Sequence, residues 1–357
     1  MGKIDISLLT AVIILTLFGV FMIYDASSFV AFKDFGDKYH YVKNQSMWVM
    51  LGFVALAFFS LFNYHRLYAL ALPILSGALV LLILVFIPGI GVSLLGAHRW
   101  IDTKAFLLQP AEFVKLALAI YLAAWFSNKE KGRFPAFLLL MGLVLGLVIA
   151  EPDMGTTIVI LAEAFTIYFL SGANVFYFSI IVPLVGFLGY LFIKFSPYRE
   201  KRLEAFLNID SSLESSSYHV KQILIAFGAG GLTGVGLGNS LQKYAYLPEG
   251  TTDSIFAIIA EELGFVGAVA LILFFIFIIY RCFYIAVNAR DNFGKLLAGG
   301  ITTFLAIQTI INLAAQTALV PLTGIPLPFI SYGGSSLIID LAAVGILLNI
   351  SKQRINI

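Results

Sequence analysis

Six ionisable residues fall inside long apolar runs: Glu112, Lys115, Glu163, Glu261, Glu262 and Asp340. A charge in such a setting is costly unless it is paired or hydrated, so each is a functional candidate. Glu112 and Lys115 stand three apart, on one helix face, where they can pair as a structural or a working ion pair. Glu261 and Glu262 are adjacent and point about 100° apart on a helix, so at least one serves packing or hydrogen bonding between helices. Asp253 stands where a long polar segment meets an apolar run. A carboxylate there is partly desolvated yet accessible, the setting of a general base. The same place is a normal helix start, with Thr252 or Asp253 as N-cap. Glu249, four residues earlier, is a second acid that can support it. Arg99 adjoins Trp100, a ring able to stack on a sugar or to anchor at a membrane interface. Asp153 and Gly155 fit a tight turn, with hydrogen bonding inside a polar cavity as the functional alternative. Gly333-Gly334-Ser335-Ser336 fits the opening of a helix, where backbone donors favour an anion and Ser335 can equally cap.

The elements that must hold these residues are membrane spans. The chain has 357 residues, 60% of them apolar and only 12% Asp, Glu, Lys or Arg, with a mean hydropathy of +0.97. A soluble domain carries about 25% charged residues, so there is too little charge here to coat one. That excludes a soluble enzyme, a secreted disulfide scaffold and a disordered chain. The net charge of +2 leaves no surplus for phosphate neutralisation, so no nucleic-acid partner is expected. The single cysteine, Cys282, excludes an intrachain disulfide and a cysteine metal cluster, and its apolar flanks predict a lipid- or core-facing side chain.

Ten apolar runs are long enough to be read as spans, near 8–24, 46–62, 69–88, 108–126, 135–150, 154–171, 175–195, 255–280, 296–318 and 335–350. The fold expected is an all-α polytopic membrane protein, one integral membrane domain over residues 1–357. With the N-terminus inside, the inner segments hold Lys3, Arg66, Lys129, Lys131, Arg133, Arg281, Arg290, Lys295, Lys352 and Arg354, and the short outer loops only Lys33, Lys38, Lys43, Arg99 and Lys104. The excess of basic residues predicts cytoplasmic termini. Most acids then collect outside. The longest stretch between spans, 196–254, is expected to be an extracytoplasmic loop between spans 7 and 8. Its glycine-rich end, Gly228 to Gly238, reads as close helix packing or a re-entrant segment. Its Gly-x-Gly-x-Gly pattern follows no strand and is weak as a dinucleotide fingerprint.

Four stretches together resemble one family. They are Gly96-Ala-His-Arg-Trp-Ile101 with Gln109-Pro-Ala-Glu-Phe-Val-Lys115; Glu151-Pro-Asp-Met-Gly-Thr156; Gly230-Gly-Leu-Thr-Gly-Val-Gly-Leu-Gly238 leading into Leu247-Pro-Glu-Gly-Thr-Thr-Asp253 and Glu261-Glu-Leu-Gly264; and Pro321 through Pro-Phe-Ile-Ser-Tyr-Gly-Gly-Ser-Ser336. In this order, over nearly the whole chain, they resemble the SEDS family (shape, elongation, division and sporulation). The last stretch and the ending Leu347-Leu-Asn-Ile-Ser351 look more like the division branch, FtsW, than like RodA. Departures from the family pattern fall at Glu151, often Gln; Thr251, often His; Ser254, often Phe; and Asp340, often Asn in the division branch.

The resemblance implies a peptidoglycan glycosyltransferase that polymerises lipid II on the outer face of the bacterial cytoplasmic membrane, at the division septum for the FtsW branch. It implies a class B penicillin-binding protein transpeptidase as partner, with a groove of spans 8 and 9 and the outer loops as docking face, among other division or elongation membrane proteins. Asp253 matches the family's catalytic aspartate. The pyrophosphate leaving group needs positive charge, and Arg99, Lys115, Arg199, Arg202 and Lys243 are the candidate cations, each able instead to bind lipid headgroups. Glu112, Asp153, Glu249 and Ser335 complete the expected substrate site. The chemistry leaves room for Mg or Mn at the pyrophosphate, while no His-rich or paired-acid spacing marks a tightly held metal. Two other readings compete: a lipid II flippase or solute carrier, and a non-catalytic division scaffold. The absence of a convincing internal repeat and the outer clustering of acids and motifs favour the enzyme.

Overall fold

Asp5 starts the first helix by accepting a hydrogen bond from Leu8 N in the computed structural model, and Gly36 stops it in the left-handed conformation. The structure describes residues 4–353, apart from 95, 96, 105, 129–132 and most of 174–214. Ten helices are found among the described residues: α1 (Ile6–Phe35), α2 (His40–Leu61), α3 (His65–Leu84), α4 (Pro110–Phe126), α5 (Phe134–Ala150), α6 (Met154–Leu170), α7 (Ser215–Gly230), α8 (Ile255–Val287), α9 (Asn292–Gln316) and α10 (Gly334–Ser351). Six of them, α1, α2, α3, α8, α9 and α10, are long and apolar enough to cross a membrane, and α5 and α6 are shorter apolar helices. At 17 residues, α4, α5 and α6 are about 25 Å long, close to the lower limit for a span.

These ten helices do not map one to one onto the ten predicted runs. The run near 175–195 lies largely outside the described residues. The stretch 196–254, expected as a loop, contains helix α7. Its polar serines and its glycine-rich end hid a helix that is stabilised by packing on α8. Between α3 and α4 the chain forms an antiparallel sheet that hydropathy does not announce: β1 (Gly91–Leu94), β2 (Ala97–Asp102) and β3 (Leu107–Leu108), with Val92 opposite Trp100 and Ile101 opposite Leu108.

The bundle is organised around α10, whose residues are almost all buried. It packs along α2, and the contact is close because Gly345 has no side chain. A Cβ there would lie 2.6 Å from Leu56 O. Around this pair, α9 packs against α4, α6 and α8, and α1 joins α2 to α8. The outward faces carry bare apolar side chains such as Ile14, Leu139, Leu273 and Ile276, as expected where lipid replaces water. Of the two settings predicted for Cys282, the structure selects the core, with 1% exposure.

Helix α8 is broken at Gly264, where φ is 68°. The freed groups are taken up by the glycine-rich segment. Val235 N and Gly236 N donate to Glu261 O and Glu262 O at 3.0 and 3.1 Å, and Phe265 N and Val266 N donate back to Gly231 O and Leu232 O at 2.9 and 3.2 Å. The segment is thus closely packed against a broken helix, which is how irregular backbone can be kept without unsatisfied groups.

Candidate functional site

Asp253 lies near the end of the run of turns that follows the glycine-rich segment. The N-cap of α8 is the next residue, Ser254, and it makes no side-chain capping bond. The expectation that Thr252 or Asp253 caps this helix is therefore corrected. The reason lies 59 residues downstream, where Gln316 Oε1 accepts from Ala257 N at 2.8 Å and satisfies the first turn from another helix.

The same amide holds Asp253. Gln316 Nε2 and Asn312 Nδ2 both donate to Asp253 O at 2.8 Å, and Gln316 Nε2 also lies 2.7 Å from Asn312 Oδ1. Asn312 Nδ2 further reaches Ile325 O at 2.8 Å. The two preceding carbonyls are held by the loop before α10: Tyr332 N donates to Thr251 O at 3.0 Å and Ser331 Oγ donates to Thr252 O. Gln45 of α2 braces that loop, donating to Ser331 O and accepting from Gly333 N, both at 3.3 Å. The main chain of the turn is thereby fixed while Asp253 stays half-buried. Thr252 Oγ1 lies 2.8 Å from Glu249 Oε2 and 3.1 Å from Asp253 Oδ1. One hydroxyl proton thus serves two carboxylates, which ties Glu249 to Asp253.

A second knot gathers Arg99, Asp153 and Ser335. Arg99 Nε donates to Glu151 O at 3.0 Å, and its guanidinium also bonds Pro152 O. Asp153 is the N-cap of α6, accepting from Thr156 N at 3.0 Å and Thr156 Oγ1 at 2.9 Å. Gln109 links the parts: its Nε2 donates to Asp153 Oδ2 at 3.3 Å and its N to Ser335 Oγ at 3.1 Å. Ser335 is therefore engaged by the start of α4, and the N-cap of α10 is Gly333. Glu151 is fully buried and both its carboxyl oxygens lack a hydrogen-bond partner. Burial and the neighbouring Asp153 charge push its pKa up to about 9 against the opposing Arg99 charge, so it is a neutral acid at pH 7.

Two of the predicted cations are internal. Lys115 is 2% exposed, with Nζ 2.8 Å from Glu112 Oε2 and 2.7 Å from Gln308 Oε1. Gln308 Nε2 passes the link on to Pro326 O at 3.2 Å. Glu163 and Asp340 are likewise fully buried, and their carboxyl oxygens have no hydrogen-bond partner. Lys243 bridges α1 to α8, with Nζ 3.1 Å from Asp25 Oδ1 and 3.3 Å from Glu262 Oε1. Burial works against its charge, but the bonds to Asp25 and the charges of Glu262 and Asp25 outweigh it and hold its pKa above the ordinary lysine value. Glu261 accepts from Ser240 Oγ and from Leu241 N, so both adjacent acids are spent on the glycine-rich side. Arg199 and Arg202 lie outside the described residues.

Sequence reasoning missed the neutral partners: Gln45, Gln109, Gln308, Asn312, Gln316, and the acid Asp25. A signal was present for three of them. Gln308, Asn312 and Gln316 recur every four residues, a polar stripe on one face of an apolar helix.

The profile of the cell cycle protein family FtsW/RodA/SpoVE matches residues 6–356. The chain is 40% identical to a probable peptidoglycan glycosyltransferase FtsW of Trichlorobacter lovleyi, over 98% of this chain and 94% of the relative. It is 38% identical to the stage V sporulation protein E of Bacillus subtilis, over 98% and 97%. Its fold matches a chain of a solved peptidoglycan synthase complex that coordinates polymerization and crosslinking, with a TM-score of 0.83, 27% identity and 98% of each chain covered. It also matches the Thermus thermophilus rod shape determining protein RodA, with a TM-score of 0.74, 26% identity and 99% and 98% covered.

Proposed function

This chain belongs to the FtsW/RodA/SpoVE family of cell cycle proteins, and from that premise we propose the reaction and the roles of its residues. The chain is a membrane-embedded peptidoglycan glycosyltransferase that polymerises lipid II on the outer face of the cytoplasmic membrane during cell division. The 4-hydroxyl of one sugar attacks the anomeric carbon of another, and the bond to the lipid pyrophosphate breaks with a single inversion. Asp253 takes the hydroxyl proton as general base. The observation that carries this role is the clamping of Asp253 through its carbonyl, by Asn312 and Gln316, with its side chain half-buried beside Thr252 and Glu249. A base held this way keeps its place while its side chain stays only half-buried.

The leaving pyrophosphate needs cations. Arg99, half-buried at the outer sheet and bonded to backbone carbonyls rather than to a carboxylate, supplies one. Arg199 and Arg202 are the further candidates. Lys115, through its bond to Gln308, and Lys243, through its ion pairs with Asp25 and Glu262, hold helices together, and Glu112, Asp153 and Ser335 shape the site from behind. Among the described residues no group of three His, Cys, Asp or Glu is placed to hold a metal ion, so Mg or Mn has no three-ligand protein cage there. A class B penicillin-binding protein docks on α8 and α9, whose outward faces include Phe265, Val266 and Ile310. The termini face the cytoplasm and the protein works at the septum.

The test is polymerisation of labelled lipid II by purified protein with its transpeptidase. Glycan strands from wild type, and weaker apparent lipid II affinity in Arg99→Ala, are expected. Bound lipid II with no strands from wild type would move the reading to a flippase or scaffold.

A further inference from the structure

Ser254, which follows Asp253, has a partner on another helix. Its Oγ lies 2.7 Å from His219 Nε2 of α7. Ser254 is buried, and His219 is half-buried. The helix carrying His219 is itself anchored at this spot. Ile223 and Ala226, one and two turns further on the same face, join a buried cluster with Leu247, Ala257 and Ile258 on either side of the turn.

Every residue of the turn 251–254 is therefore gripped. Thr251, Thr252 and Asp253 are held by their carbonyls, from α9 and the loop before α10. Ser254 is held by its side chain, from α7, on the chain segment that precedes the turn. The four bonds to these carbonyls set the height of the turn against the bundle. The bond to Ser254 sets how the turn enters α8, and hence the direction of the Asp253 side chain one residue earlier. A general base misplaced by about 1 Å can lose up to about a hundredfold in rate.

Resting on the glycosyltransferase reading, we propose that His219 is a positioning residue for Asp253, acting through Ser254. The ring nitrogen needs only to share one proton with a hydroxyl, which an amide at the same reach can also do.

The experiment uses the full-length protein with its transpeptidase and labelled lipid II, and reads kcat per lipid II-binding-competent molecule, KM and melting temperature. His219→Ala should lower kcat about fivefold to tenfold, the worth of one buried hydrogen bond, with KM within about twofold of wild type. His219→Gln should restore most of the rate. Ser254→Ala should reproduce the loss, and the double variant should be no worse than either single one. Should His219→Ala fail to fold, the Ser254→Ala and His219→Gln pair carries the test. The proposal is overturned by unchanged kcat in the folded alanine variants, by a loss confined to KM, or by His219→Gln being as slow as His219→Ala. Absence of strands from wild type would instead overturn the glycosyltransferase reading, and the role of His219 with it.

Discussion

The turn at Asp253 and the pair at Glu112 and Lys115 use the same chemistry in opposite ways. At Lys115 the partners grip the charged group itself: Glu112 and Gln308 lie 2.8 and 2.7 Å from Nζ, and the side chain is 2% exposed. At Asp253 the amides of α9 grip the carbonyl, and the side chain remains half-buried. A buried charge whose partners satisfy it is a joint between helices. A carboxylate whose backbone is held while its side chain stays half-buried fits the base proposed above. The two differ in burial and in what the amides of α9 hold, the charged group at Lys115 and the main chain at Asp253.

Breaking each region should give a different signature. The largest effect is expected at Asp253. Asp253→Asn removes the base and leaves every main-chain clamp, so turnover should fall by about 10²- to 10⁴-fold with little change in melting temperature. Lys115→Met should do the reverse. It strands Glu112 in the bundle at a cost of about 3–5 kcal/mol, seen as a large drop in thermal stability. Replacing both partners with apolar residues should recover much of it.

Gln316→Leu sharpens the comparison, because it touches the clamp and not the reagent. It removes one of two donors to Asp253 O and strips the buried Asn312 Oδ1 of its donor, while Ala257 N keeps its bond to Ser254 O. A loss of about 1–3 kcal/mol is expected from an unsatisfied buried group, together with lower turnover at unchanged substrate affinity. Equal turnover in this variant would detach the clamp from catalysis.

At Glu151 the effect is read in stability against pH and not in turnover. Its folded pKa is raised from 4.5 to about 9 by burial and by Asp153. The folded state then holds a proton that the unfolded chain gives up above the ordinary value. This stability is complete below about pH 4.5 and is lost as pH rises through about 9. Glu151→Gln should flatten the fall of melting temperature across that window, which a thermal scan at several pH values reads directly.

Much of the architecture could be read from the chain. Long apolar runs define spans because lipid leaves helices little alternative, and a Glu and a Lys three apart within one run can hardly avoid each other. The pairing at 112 and 115 was legible for that reason. Asp253 stood out through its place at the head of an apolar run and through its match to the family motif. The clamp around it was less visible. Gln308, Asn312 and Gln316 carry no charge, and their stripe shows that polar groups share a face without saying which backbone they meet. Ser254, not Asp253, caps α8 because an amide from α9 took over the first turn, a contact between residues 59 apart that local rules do not contain. Lys243 looked like a free cation because its partner Asp25 lies 218 residues away at the end of the first span. The sheet at 91–108 was missed because its strands are set by short turns and by packing, not by a hydropathy period.

Asp253 is proposed above as a reacting carboxylate on a fixed backbone. The most direct measurement is single-turnover glycan formation from prebound lipid II, wild type beside Asp253→Asn, in samples matched for lipid II bound and for melting temperature. Equal binding, equal stability and strands from wild type only are expected. Strands from Asp253→Asn at the wild-type rate would contradict the proposal.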